Sequence, residues 1–119
     1  MRLKFSAWQW AFVACALAVL MLALIPSPPR MLSTGWDKSN HMLAFASLGA
    51  LGLLAFPQRL TAVVLCVLCY GALIEVLQSF TPNRSAEWLD LLADAAGIVL
   101  GWAITGLMGR LTRLRRTLL

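Results

Sequence analysis

Four apolar runs separated by three short polar breaks set the pattern of this chain. The first run extends from about residue 7 to 25, and as a helix it would reach about 28 Å, close to the ~30 Å of a bilayer's hydrocarbon core. The second covers about 39–56, the third about 60–80 and the fourth about 87–108. Pro26, Pro28 and Pro29 close the first run, because proline removes a backbone donor and fixes φ. Pro57-Gln58-Arg59 makes the second break, and Thr81-Pro82-Asn83-Arg84-Ser85 makes the third. No run alternates apolar and polar residues as a half-buried strand does, and open sheets do not span lipid. The pattern therefore predicts an all-α fold, an antiparallel bundle of four transmembrane helices in a single membrane domain, residues 1–119.

Composition says which solvent that fold meets. Hydrophobic residues make up 61% and charged residues 13%, against roughly 45–50% and 25% in soluble domains. With a mean hydropathy of +0.80, the chain has too little polar material to cover a soluble surface, and a soluble fold is excluded. Arg2 and Lys4 before an apolar run also describe a signal peptide. The run is longer than the roughly 7–15 residues of a signal core, and prolines stand where cleavage would come, so it is read as an uncleaved first helix.

Charge then orients the bundle. A net charge of +5 would point to nucleic acid in a soluble protein. Here no basic patch interleaves with aromatics, so nucleic acid is not a partner, and the basic residues read as topology signals. Arg2, Lys4, Arg59, Arg110, Arg113, Arg115 and Arg116 fall on one side, and Arg30, Lys38 and Arg84 on the other. The richer side is the cytoplasmic one, which puts both termini inside. The four tail arginines serve that signal or anchor anionic lipid. Cys15, Cys66 and Cys69 sit within apolar runs and read as small buried hydrophobes with no disulfide.

That orientation gathers the polar residues on the outer face. Asp37, Lys38 and His41 open the second run, Glu75 and Gln78 close the third, Asp90 and Asp94 open the fourth, and Arg84 lies in the loop between the last two. A carboxylate at mid-bilayer costs roughly 2.5–3.5 kcal/mol on insertion scales, so such groups mark function or a buried network that holds the fold. Asp37 and His41 share a helical face, as do Asp90 and Asp94, and Gly71, Glu75 and Gln78. Gly97 and Gly101 continue the Asp94 face as a small-xxx-small packing surface, with Gly71 the matching small residue on the third run. Structural alternatives exist for the shallower groups: Asp37 suits an N-cap, Lys38 an interface anchor, and Glu87 a first-turn acid favoured by the helix dipole.

Asp37-Lys38-x-x-His41, then Glu75-x-x-Gln78-x-Phe80-x-Pro82-x-Arg84-Ser85, then Asp90-x-x-x-Asp94-x-x-Gly97-x-x-x-Gly101, resembles the VanZ-like family. The resemblance covers residues 37–101, with the first run matched only in character. It implies a small multi-pass protein of the bacterial cytoplasmic membrane. The family's namesake is associated with lowered sensitivity to the glycopeptide antibiotic teicoplanin. The family often has Asn where this chain has Asp94, so the role the resemblance implies there is hydrogen bonding rather than charge.

Three functions from different classes fit these residues. The leading one is a protein embedded in the lipid bilayer whose outward pocket binds a cell-envelope component, a lipid-linked phosphate or a glycan precursor, linked to envelope maintenance or glycopeptide sensitivity. Arg84, Lys38 and His41 would hold phosphate by charge-assisted bonds, and Glu75, Gln78, Asp90 and Asp94 would orient hydroxyls. The second is an enzyme acting on a lipid phosphate or glycolipid. Its catalytic candidates are Asp37, His41 and Glu75, with Arg84 stabilising developing charge; the lack of an established hydrolase signature argues against it. The third is ion or proton translocation in an oligomer through Glu75 and Asp94. No cofactor is required by the sequence, although the acids with His41 would suit an oxygen-bound divalent cation.

Overall fold

The computed structural model describes residues 4–25, 37–81 and 88–119, with the side chains of Asp37 and Lys38 outside the description. These residues form four helices, α1 (Ala7–Leu24), α2 (Asp37–Ala55), α3 (Leu60–Gln78) and α4 (Trp88–Leu118), and contain no strand. Three of them, α1, α3 and α4, are long and apolar enough to cross a membrane. The apolar part of α2, Ser39–Ala55, is shorter. The polar opening Asp37-Lys38-Ser39-Asn40-His41 takes up its first turn and more.

Local chemistry explains most of the boundaries. Ser6 caps α1, accepting from the Gln9 backbone while the Gln9 side chain accepts from the Ser6 backbone. That reciprocal pair satisfies two donors the first turn would otherwise leave open. α2 stops ahead of Pro57, since a residue before proline is steered out of the α region. Past Gln78 the chain tightens, with Phe80 N–H donating to Leu77 and Thr81 N–H to Gln78. α4 runs to Leu118, ten residues beyond the apolar stretch that marks it in the sequence. Hydropathy finds where the lipid-compatible surface ends, whereas the backbone ladder continues through Arg and Leu, which are good helix formers.

The core lies between the helices and is built from Phe45 and Leu48 of α2, Val63, Val67 and Ile74 of α3, and Ile98 of α4. Phe12, Cys15, Ala16 and Val19 of α1 pack against it. Around the outside, Leu17, Met21, Leu65, Leu73, Val99, Leu100 and Ile104 stay exposed, as a lipid-facing shell must; Cys66 and Cys69, read from the sequence as buried, belong to this exposed surface.

The most extensive packing joins α2 and α4. A Cβ on Gly97 would run into the Met42 carbonyl and come within 3.0 Å of Ala46 N, and one on Gly101 would run into the Ala46 carbonyl. From the other side, a Cβ on Gly49 would lie 3.0 Å from Ile98 Cα. The two backbones therefore meet almost directly, through glycines placed where any side chain would collide with main chain.

Side-chain amides tie the helix ends together. Gln78 Nε2 donates to the Ala23 carbonyl of α1 at 2.9 Å, and Gln9 Nε2 donates to the Ala55 carbonyl of α2 at 3.4 Å. Both acceptors belong to last turns, whose final four carbonyls lack intrahelical partners. In lipid no water would satisfy them, so each bond removes a penalty of several kcal/mol order. Tyr70 adds a third tie, its hydroxyl donating to the Ala16 carbonyl.

Candidate functional site

Three helices deliver one polar cluster. His41 comes from the second turn of α2, Glu75 from the last turn of α3, and Asp90 and Asp94 from the first two turns of α4. All four are buried, at 8%, 8%, 1% and 0% exposure respectively. The i, i+4 spacing predicted from the sequence puts Asp90 and Asp94 on the same inward face of α4, and the glycines of that face bring α4 close enough for both to reach α2.

The cluster centres on the imidazole. His41 Nδ1 lies 2.9 Å from Asp94 Oδ1, a bond across 53 residues of sequence. On the other edge of the ring, Nε2 stands 3.8 Å from Glu75 Oε1 and 3.8 Å from Asp90 Oδ2. Those two separations exceed hydrogen-bonding range. They bring two carboxylates and a ring nitrogen around one small volume.

Gly71 explains how Asp94 fits. A Cβ at this position would come within 2.6 Å of Asp94 Oδ2 and 3.2 Å of the Phe45 ring. The carboxylate thus spans from the imidazole to the bare Cα of Gly71, one oxygen at each. Phe45 closes the apolar side of the same space. Sequence spacing links Gly71 to Glu75 by one turn of α3; the space it leaves is occupied by a residue from α4.

Gln78 is buried beside this end of α3, and its amide nitrogen turns to α1 rather than to the imidazole. Arg84 and Glu87 lie outside the described residues, as do the side chains of Asp37 and Lys38. Among the described groups, His41, Glu75, Asp90 and Asp94 come together, and Gly71, Gly97 and Gly101 make the room. Among the described carboxylates, Asp94 is the one within hydrogen-bonding distance of His41; Asp37, its i, i+4 neighbour in sequence, has its side chain outside the description. Gly49 is the packing glycine that the sequence pattern missed; its small neighbours Ala46 and Ala50 on the same face are the available signal.

A helical protein with three membrane-length apolar spans and an acid–histidine cluster buried at one end of its core is the class these features define. The chain belongs to the VanZ/LLP1 family, whose model matches residues 10–109. That match takes in most of α1 as well as the polar segments of the later helices, so the chain is a membrane protein of the VanZ type. No curated protein and no solved structure matches it.

Proposed function

We propose that the four helices form an antiparallel transmembrane bundle in the bacterial cytoplasmic membrane, with both termini inside and the acid–histidine cluster near the outer face. The contacts support alternating helix directions. Along α2, His41, Phe45 and Gly52 approach Glu75, Gly71 and Val63 of α3 in descending order, whereas His41 and Ala46 approach Asp94 and Gly101 of α4 in ascending order. Arginine distribution supports the side. With native cysteines replaced, Ser85→Cys should label with an impermeant thiol reagent added to intact cells, and Thr117→Cys should not. The reverse labelling pattern would overturn the orientation.

The function best supported is recognition of a cell-envelope component by this pocket, through the hydroxyl-rich or phosphate-bearing headgroup of a lipid-linked precursor. The single observation that carries it is the convergence of His41, Glu75, Asp90 and Asp94 within apolar helices, where burying such groups is expensive unless a ligand or the fold repays it. Carboxylates accept hydrogen bonds from sugar hydroxyls, and Lys38, three residues before His41, and Arg84, six before Asp90, would supply cations for a phosphate. Toward the other end the core is Leu48, Val63 and Val67, which offers an ion or proton no continuing path within one chain.

Native mass spectrometry of the detergent-extracted protein tests this reading. A bound adduct with the mass of a polyprenyl phosphate or glycolipid is expected on the natural chain. In Asp90→Asn and Glu75→Gln variants that stay monodisperse, at least a tenfold loss of that adduct is expected. A natural chain that carries only bulk phospholipid, in the same proportion as the variants, removes the proposal.

A second reading, a membrane enzyme, draws on one observation: the Asp94–His41 pair at 2.9 Å presents Nε2 toward two acids, as a positioned general base would be presented. Its base would be oriented by Asp94.

A further inference from the structure

We infer that the C-terminal part of α4, residues 109–118, is an amphipathic arm that anchors the protein to anionic phospholipid headgroups at the membrane surface. The inference rests on α4 crossing the membrane, and it is independent of what the acid–histidine pocket binds.

Helix register places this segment at the surface. The Asp94–His41 bond offsets α4 from α2 by 53 residues, and the α2 backbone facing Gly97 and Gly101 follows the same offset. Carried along both helices, it sets Met108 level with Ala55, where α2 ends. Gln9 reaches the Ala55 carbonyl, so the start of α1 lies at that level too, with Trp8 and Trp10 exposed beside it. Exposed tryptophans mark the headgroup level of a bilayer. Among the described helices α4 alone continues past this level, for about 15 Å.

Beyond that level its faces separate. At about 100° per residue, Leu107, Leu111, Leu114 and Leu118 fall within about 60° of one another, and all four are exposed. Arg110 and Arg115 flank the stripe about 70° to either side, while Arg113 and Arg116 take the far face. A leucine stripe with basic residues beside and opposite it is the pattern of a helix lying in a lipid interface. The flanking arginines can lay their stems along the apolar zone and set their guanidinium groups among phosphates.

Charge selects the occupant. From Ala95 to Leu119 the chain has no acid, and the described acids Glu75, Asp90 and Asp94 belong to the opposite end of the bundle. A second copy paired through the same leucines would set Arg110 and Arg115 against their own kind, which is repulsive. An anionic bilayer surface begins where α4 leaves the hydrocarbon, and it complements all four arginines at once.

Gly106 and Gly109 supply the bend. A Cβ at either would meet nothing within 4 Å, so packing requires neither glycine, yet each weakens the helix at the level of Met108. There the arm can turn from the axis of the span and lay its leucines on lipid.

The test uses the full chain with Cys15→Ala, Cys66→Ser and Cys69→Ser, reconstituted in nanodiscs of phosphatidylcholine alone or mixed with phosphatidylglycerol. A fluorophore is attached at Leu114→Cys on the stripe, at Thr112→Cys away from it, or at Leu100→Cys on the exposed spanning part, and a quencher is carried on the lipid chains. With phosphatidylglycerol present, the Leu114→Cys label should be quenched at least about fivefold more than in phosphatidylcholine alone, and more than the Thr112→Cys label. Arg110→Gln, Arg113→Gln, Arg115→Gln and Arg116→Gln together change only exposed side chains and should remove the difference between the two lipids. Equal quenching of Leu114→Cys in both lipids, quenching no stronger than at Thr112→Cys, or a lipid difference that survives the four glutamines overturns the anchor. So does energy transfer between labels of paired chains, which would assign the leucines to a second copy. A Leu114→Cys label that stays in water in both lipids overturns it as well, and leaves an acidic protein helix as the occupant. The Leu100→Cys label should be quenched in both lipids. If it is while Leu114→Cys is not, the anchor alone fails; if it is not, the transmembrane placement of α4 fails and the anchor with it.

Discussion

Gly97→Leu is expected to eliminate folded protein, and Gly97→Ala to destabilise it clearly, while Gly106→Ala and Gly109→Ala on the same helix leave it intact or improve it. A Cβ at Gly97 meets the Met42 carbonyl and the Ala46 backbone, and one at Gly101 meets the Ala46 carbonyl. Main chain cannot rotate aside as a flexible side chain does, so α2 and α4 must separate. Overpacking typically costs about 1–3 kcal/mol even where side chains can adjust, and here the separation would also pull Asp94 from His41. Gly106 and Gly109 have nothing within 4 Å of an added Cβ. There the change only removes glycine's helix penalty, roughly 1 kcal/mol in favour of alanine. The measurement is thermal melting in detergent, read by size-exclusion recovery. Equal behaviour of Gly97→Ala and Gly106→Ala would falsify the backbone contact between α2 and α4.

The second large effect is at Asp94. Asp94→Ala should lower stability on the order of 3 kcal/mol, because it strips the acceptor from a buried imidazole and opens a void against Gly71 and Phe45. Asp94→Asn should stay within about 1 kcal/mol of the natural chain, since the amide oxygen still accepts from Nδ1 and the shape is unchanged. The order natural ≈ Asn > Ala is the expected melting result. An Asn variant as unstable as Ala would show that charge, rather than an acceptor, is what the imidazole requires.

Much of this was legible in the sequence because a membrane simplifies the code. Apolar runs between proline breaks marked four helices within a few residues, except at the end of α4, and the charged residues excluded from lipid marked the ends. The i, i+4 rule put Asp90 with Asp94 and Gly97 with Gly101. It could not say which faces meet, so the bond from His41 to Asp94, 53 residues away, was not foreseen. Gln78 shows the same limit: its face was right, yet its amide nitrogen serves the orphan carbonyl of Ala23 on α1. The length of α4 was missed for another reason. Hydropathy reports the solvent of a helix, and α4 stays helical to Leu118 after its apolar stretch has ended.

The 53-residue reach between His41 and Asp94 also bears on how the chain is made. Synthesis runs from the N-terminus, so α2 emerges well before α4. Until α4 arrives, His41 faces neighbouring helices or lipid without its carboxylate, and Gly49 presents a bare strip of backbone with nothing docked on it. A three-helix intermediate is therefore marked by an exposed imidazole and a small-residue groove. Docking of α4 covers both, through the Asp94 carboxylate and the Ile98 backbone.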